Sequence, residues 1–164
     1  PDLSAHARAD GGMTISVRRM GPGDIPAVVE IDRASFSLPW PESSYRYEIH
    51  DNKASRCLVA EDEENGVVAM IVSWMILDEL HIATFATQSE HRRKGIGRLL
   101  LKSALDQARE DGARRAFLEV RESNSAAQAM YEGFGFKITG RRPRYYRDND
   151  EDAILMTLEP LEAA

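Results

Sequence analysis

The sequence is poor in three things: cysteine, long apolar runs and positive charge. Cys57 is the single cysteine among 164 residues, so no disulfide can form within the chain, and a reducing compartment such as the cytoplasm is expected. No apolar run approaches the ~20 residues that a membrane-spanning helix requires. The longest run, 67–80, is interrupted by Ser73 and Asp78. We therefore expect a cytoplasmic protein that has no membrane partner.

Acidic residues outnumber basic ones, 27 to 21, which gives a formal net charge of -6. Proteins that bind nucleic acid normally present a basic face, so this balance argues against nucleic acid as a partner. The composition, 43% hydrophobic and 29% charged, is typical of a globular chain. One domain is the simplest expectation for this length.

The first twelve residues, PDLSAHARADGG, are small and polar and show no hydrophobic period. They also lack the apolar segment of a secretion signal. We interpret residues 1–12 as a flexible leader or an expression remnant, with Met13 as a candidate native start. Residues 13–164 then form a single domain.

Hydrophobic periodicity and turn signals after the leader predict the order β-α-α-β-β-β-α-β-α-β-β. Asp24 is placed to cap the first helix, and Asn65-Gly66 predicts a hairpin. A long helix is expected over 95–111 and ends at Gly112. The strand-helix-strand order in the second half predicts local parallel pairing, whereas the hairpins predict a mixed sheet. The predicted fold class is therefore α/β (α+β).

The stretch EHRRKGIGRLLL sets three cations beside two glycines at the start of the long helix. A turn that enters a helix points backbone N–H groups and the positive end of the helix dipole at one spot, which suits a phosphate or pyrophosphate. Gly95 and Gly97 would let such a ligand approach the backbone closely. The alternative is that Gly95 only permits the turn and the cations are a solvated edge. The stretch matches neither the P-loop nor the dinucleotide-binding pattern.

The residues Arg92, Arg93, Lys94, Gly95, Ile96 and Gly97 resemble the [Q/R]-x-x-G-x-[G/A] signature of the GCN5-related N-acetyltransferases (GNAT), whose loop holds the pyrophosphate of acetyl-coenzyme A (acetyl-CoA). FLEVRESNSAAQAMYEGFGF is similar to the second signature of that family, in its ribosomal-protein-alanine N-acetyltransferase (RimI) subgroup. IDRASFSLPWPESSY and GRRPRYYRDNDEDAILM resemble the same subgroup, so the likeness covers about 14–158. It implies a GNAT fold with about seven strands and four helices, and acetyl-CoA as the acetyl donor without a metal.

Acetyl transfer from a thioester to an amine requires a neutral amine, a base to take its proton and a donor for the departing thiolate. The resemblance implies that Glu119 is the base, directly or through water, and that Tyr131 is the acid. From the residues alone, Glu119 could instead pair with Arg121 or lie on an exposed strand face. Tyr131 could simply pack its ring.

The resemblance also assigns contacts to the cofactor. Asn124 would hydrogen-bond the pantetheine or phosphate region, although it could equally cap the helix that follows. The backbone of Phe85, Ala86 and Thr87 would pair with pantetheine as an extra strand does. The sequence here is T-F-A-T-Q-S where relatives often have N-I-A-V and a nearby proline, which changes side chains but leaves backbone contacts possible.

By the same resemblance, two loops hold the acceptor: Phe36, Ser37 and Leu38 in the first, Tyr145 and Tyr146 in the second. Tyrosine pairs can hydrogen-bond a peptide backbone and narrow a pocket, although the pair could also be only a surface feature. The implied acceptor is a protein N-terminus, in this subgroup the N-terminal alanine of the eighteenth small-subunit ribosomal protein. A small-molecule amine acetyltransferase and a non-catalytic CoA-binding regulatory module are the alternatives. The expected state is a monomer or weak homodimer.

Overall fold

The computed structural model describes residues 5–9 and 12–161, with side chains described from residue 12 onward. The described strands form an eight-stranded sheet in the hydrogen-bonded order β1-β2-β3-β4-β5-β6-β8-β7. The elements are β1 Ala5–Ala9, β2 Met13–Arg19, α1 Ile25–Ser35, α2 Glu42–His50, β3 Ser55–Asp62, β4 Gly66–Ile76, β5 Glu79–Thr87, α3 Ile96–Glu110, β6 Arg115–Arg121, α4 Ser125–Gly133, β7 Lys137–Tyr146 and β8 Glu151–Leu158.

From β2 onward the order of elements is the predicted one, and the mixed sheet flanked by helices is confirmed. β1 was not anticipated; it lies within residues 1–12 and pairs antiparallel with β2, Ala5 opposite Val17. The rest of that segment, 1–4 and 10–11, lies outside the described residues, as does 162–164. No described helix is both long enough and apolar enough to span a bilayer.

The chain divides into two compact units, of which the first comprises Pro1–Trp74 and Ala83–Gln107. Its strands β2, β3 and β4 pair antiparallel, with Ile15 opposite Asp62 and Leu58 opposite Ile71. Gly66, at φ +75, makes the predicted hairpin turn between β3 and β4. The core cluster of this unit comprises Met20, Ile25, Val28, Val29, Ile31, Tyr45, Val59, Met70, Val72 and Ala86.

Asp24 is the N-cap residue of α1, as predicted, but its side chain is used elsewhere. Asp24 does precede α1, but its backbone is helical (φ -86, ψ -14) and its side chain makes no cap hydrogen bond. The carboxylate instead accepts two hydrogen bonds from the Arg18 guanidinium, at 2.7 and 2.8 Å, and one from the Gly21 N–H at 2.8 Å. A bidentate pair with a guanidinium gives the carboxylate two charge-assisted hydrogen bonds to a cation, so the carboxylate faces the strand.

The second unit comprises Met75–Ile82 and Ala108–Ala164. The start of β5 pairs parallel with β6, Glu79 opposite Arg115, as the strand-helix-strand order predicted. β8 pairs antiparallel with both β6 and β7. Along β6, Leu118 and Val120 are buried and Glu119 is exposed, because successive side chains point to opposite faces of a strand.

Candidate active site

In the first unit the chain leaves β5 through a short 3-10 turn, Ser89–His91, and reaches α3 through a tight corner, 92–95. Two residues of the corner have left-handed backbones: Arg93 at φ 62 and Gly95 at φ 81. A Cβ at Gly95 would meet no atom within 4 Å, so glycine is favoured there by the backbone conformation and not by lack of space. The corner ends at the first turn of α3, whose N–H groups have no partner within the helix.

Three cations lie at this corner, just before the start of α3. Arg92 and Arg93 are exposed and Lys94 is half-buried, and none of the three forms a salt bridge within the part of the chain that the structure describes. The Arg92 guanidinium donates to the Thr87 carbonyl at 3.1 Å and lies 3.4 Å from Ser35 Oγ. Open N–H groups and uncompensated positive charge at one place fit a pyrophosphate.

The end of β5 leads directly into this corner. Thr84 and Ala86 are each 9% exposed, whereas Phe85 and Thr87 are half-buried. Ala86 belongs to the core cluster, and Thr84 hydrogen-bonds the buried Tyr45 hydroxyl. Core packing therefore fixes the strand whose backbone was predicted to pair with pantetheine; the pairing itself stays a prediction.

The first predicted acceptor loop is also in this unit, between α1 and α2. Phe36 and Leu38 are 36% and 53% exposed, and Ser37 is exposed. The loop is anchored by the buried Asp32 carboxylate, which accepts hydrogen bonds from the Trp40 N–H and the Tyr45 hydroxyl. Burial raises the pKa of Asp32, and the Tyr45 hydrogen bond opposes that rise. Two apolar side chains are thus presented to solvent on a fixed loop.

In the second unit, Glu119 lies at the centre of a polar cluster. Its Oε1 is 3.3 Å from Arg142 Nε, and the Tyr145 hydroxyl hydrogen-bonds its carboxylate and thereby raises the pKa of Tyr145. Arg121, the alternative partner of Glu119, binds Asp148 and Glu151 at 3.0 and 3.2 Å. The Glu119 side chain keeps 30% exposure, so it is accessible from solvent.

Tyr131 lies on α4 and is only 7% exposed. Its ring packs at 59° to that of Phe136, with centroids 5.8 Å apart. Burial, and then the charge of Tyr146, raise the pKa of Tyr131 well above its usual range. The phenol therefore holds its proton throughout the neutral range, as a proton donor must.

Tyr145 and Tyr146 meet edge to face, with ring centroids 5.2 Å apart and planes at 89°. Tyr145 is 45% exposed, whereas Tyr146 lies under the Arg121 guanidinium, 4.0 Å from its ring centroid. Burial raises the pKa of Tyr146 to about 12. The pair is therefore asymmetric: one ring faces solvent beside Glu119, and the other supports it.

Arg142 and the role of Arg121 were not anticipated from the sequence. Arg121 binds Tyr146, Asp148 and Glu151 together, and so holds the turn that carries the tyrosine pair. One signal was available: Arg121 is two residues from Glu119, on the same face of β6. No such signal pointed to Arg142, because a register shift between Arg142 and Tyr146 determines where β7 presents it.

Asn124 is the N-cap of α4: its side-chain oxygen accepts the Ala127 N–H at 3.2 Å. The capping alternative is therefore realised. It does not compete with the cofactor contact, because the cap uses the amide oxygen and leaves the amide nitrogen as a donor.

Comparison with known proteins places these features in a family. The model of the acetyltransferase (GNAT) family matches residues 25–136. The chain belongs to the GNAT family. A Bacillus subtilis protein, named provisionally as a [ribosomal protein bS18]-alanine N-acetyltransferase, is 38% identical over 141 residues, 86% of this chain and 93% of its own. The Escherichia coli (strain K12) [ribosomal protein bS18]-alanine N-acetyltransferase is 35% identical over 138 residues, 82% and 90% of the two chains.

The crystal structure of the Escherichia coli ribosomal-protein-S18-alanine N-acetyltransferase superposes on this GNAT chain with a TM-score of 0.82. The two sequences are 30% identical, and the superposition covers 92% of this chain and 96% of the other chain. The GNAT match includes Phe36, the corner 92–95 (called the anion corner below), Glu119 and Tyr131, but it ends before Tyr145. The tyrosine pair thus lies in the part of the chain to which the general family model does not extend.

Proposed function

We propose that this protein transfers the acetyl group of acetyl-CoA to the N-terminal amine of a protein, and that the acceptor is the N-terminal alanine of ribosomal protein bS18. The observation that carries the proposal is similarity over almost the whole chain, at 38% and 35% identity, to proteins named for this reaction. The similarity spans 86% and 82% of this chain for the two relatives, which is more than the family model covers.

Acetyl-CoA supplies an acetyl thioester, and the anion corner is our proposed site for its pyrophosphate. The N–H groups at the start of α3 donate to the phosphate oxygens, and Arg92, Arg93 and Lys94 offset their charge. Gly95 gives the backbone its left-handed turn, and Ile96 and Gly97 continue the N–H row into the helix. The backbone of Phe85, Ala86 and Thr87 and the amide nitrogen of Asn124 hold the pantetheine arm.

Glu119 and Tyr131 perform the proton transfers in this proposal. Glu119 removes a proton from the acceptor amine, which frees the lone pair that forms the C–N bond. Tyr131 gives its proton to the sulfur as the C–S bond breaks. The raised pKa of Tyr131 favours the protonated phenol before reaction. One proton is lost by the amine and one is gained by the thiolate, so the step is balanced.

The acceptor is held by the two loops. Phe36, Ser37 and Leu38 contact the first residues of the acceptor, and Tyr145 and Tyr146 hydrogen-bond its backbone. The hydrogen bond between Tyr145 and Glu119 supports this role, because it ties an acceptor-contacting ring to the base. A small first residue such as alanine suits a pocket narrowed by two tyrosine rings.

A steady-state assay with acetyl-CoA and a peptide that begins with the bS18 N-terminal alanine tests the proposal. Glu119→Gln and Tyr131→Phe should each lower kcat by roughly a hundredfold or more, as loss of a general acid or base does. Lys53→Gln, at an exposed position outside the proposed site, is the control and should leave kcat unchanged.

A matched panel of free amines completes the assay. Acetylation of small amines without acetylation of the peptide would show a small-molecule acetyltransferase. Full turnover in both Glu119→Gln and Tyr131→Phe would show that these two residues are not the base and acid.

A further inference from the structure

A pocket in the first unit takes no part in the proposed reaction. Its volume is about 310 Å³, at the lower end of the range for small-molecule sites. It is lined by Trp40, Ser43, Ser44, Tyr47, Glu48 and Trp74. Four of these residues come from one face of α2, and Trp74 comes from β4. Ser43 and Tyr47 are exposed, so the pocket is open to solvent.

Glu48 gives this pocket a carboxylate that no cation among the described residues pairs with. The residue is 6% exposed. Its Oε2 accepts hydrogen bonds from Trp74 Nε1 and Asn52 Nδ2, both at 2.9 Å. Both donors are neutral, and no cation pairs with Glu48 within 12–161. A buried carboxylate without a counter-charge is costly, so a cation from outside would be bound favourably here.

The rest of the lining favours an organic cation over a metal ion. Indole and phenol rings attract ammonium groups through their faces and accommodate their alkyl parts, whereas Mg²⁺ and Ca²⁺ prefer several oxygen ligands. Trp40, Tyr47 and Trp74 supply three such rings around one carboxylate. We propose that this pocket binds an alkylammonium group, with Glu48 as its counter-ion.

The sequence supplies a specific probe of this site. The chain has two tryptophans, and both line the pocket, so intrinsic tryptophan fluorescence reports on it alone. We would titrate the protein with n-butylammonium chloride without acetyl-CoA, at constant ionic strength. Neutral n-butanol and sodium chloride are the matched ligands. We expect a saturable fluorescence change with n-butylammonium only.

Substitutions identify the counter-ion. Glu48→Gln keeps an oxygen that can accept the Trp74 and Asn52 hydrogen bonds but removes the charge, and it should weaken n-butylammonium binding about tenfold or more. Glu30→Gln removes an exposed charge on α1 and should leave the Kd unchanged. Tyr47→Ala alters a side chain that is 53% exposed, so it should fold normally; it should also weaken binding, which provides a second test if Glu48→Gln unfolds.

Three results would overturn the proposal: no saturable change, an equal response to n-butanol, or unchanged affinity in folded Glu48→Gln. The ammonium could belong to a free amine or to a lysine side chain in an acceptor peptide. Two peptides that differ only in having lysine or norleucine at one position distinguish these sources. A fluorescence response to the lysine peptide alone indicates a lysine side chain of an acceptor peptide. No response to either peptide indicates a free amine. The n-butylammonium titration does not depend on the proposed acetyl transfer, so either inference can fail alone.

Discussion

At the scale of single residues, burial and charge determine what each ionisable group can do. Tyr131 is buried beside Phe136, and its pKa is raised, so one side chain contributes to the core and also keeps the proton that the proposed reaction uses. Asp24 shows the opposite case. Its hydrogen bonds with Arg18 hold the pKa of the carboxyl below its usual range, so its charged form stabilises the fold.

The pH dependence of stability follows from Asp24. Because its pKa is lower in the folded than in the unfolded state, its contribution is fully present above the unfolded pKa, near 4, and is lost as the pH falls through the folded pKa. Asp24→Asn should lower the free energy of unfolding by about 1–3 kcal/mol at pH 7. Urea unfolding at pH 7 and at pH 2–3 measures this difference.

The matched variant is Asp51→Asn, an exposed aspartate just after α2, which should change the unfolding free energy little at either pH. An Asp24→Asn effect that stayed the same down to pH 2 would contradict an origin in the charged pair.

At the scale of elements, boundaries that depend on local chemistry could be predicted from the sequence, and pairings that depend on register could not. The sequence predicts that α3 ends at Gly112 and that Ser123 or Asn124 caps α4; in the structure Gly112 has φ +98 and Asn124 is the cap. The contact of Glu119 with Arg142 joins residues from different strands, and the register shift in β7 determines it. No local pattern encodes that shift.

Asn124 has two proposed roles, which can be separated at the level of α4. Asn124→Ala should lower the free energy of unfolding by about 1 kcal/mol through loss of the N-cap. Asn124→Asp keeps a capping oxygen, so its stability should remain near wild type. It also replaces the amide donor by a negative charge, so the KM for acetyl-CoA should rise severalfold.

Urea unfolding and steady-state kinetics measure the two effects of substitution at Asn124 independently. An unchanged KM for acetyl-CoA in the stable Asn124→Asp variant would leave Asn124 with the capping role alone.

At the scale of the whole molecule, a net charge of -6 coexists with a local cationic corner. In the acidic segment 148–152, three of the four carboxylates pair with two arginines: Asp148 and Glu151 with Arg121, and Asp152 with Arg141 at 2.8 Å. These pairs offset part of the negative charge of 148–152, so under the proposed function we expect the overall charge to contribute most of the attraction for a basic acceptor. The order of elements along the chain was predictable from β2 onward. β1 was not, because its residues show no hydrophobic period and its pairing with β2 uses backbone groups.

This distribution of charge predicts how salt affects the proposed reaction. For an alanine-starting peptide rich in arginine, kcat/KM should fall severalfold between about 50 and 500 mM NaCl, because salt screens long-range attraction to an acidic protein. A neutral peptide of equal length should show a smaller change.

Asp148→Asn should loosen the turn, and so lower kcat/KM for both peptides equally, without changing the salt dependence. If Asp148→Asn instead removed the preference for the basic peptide, the turn itself would be the docking site, and the internal pairing with Arg121 would have to open when the acceptor binds.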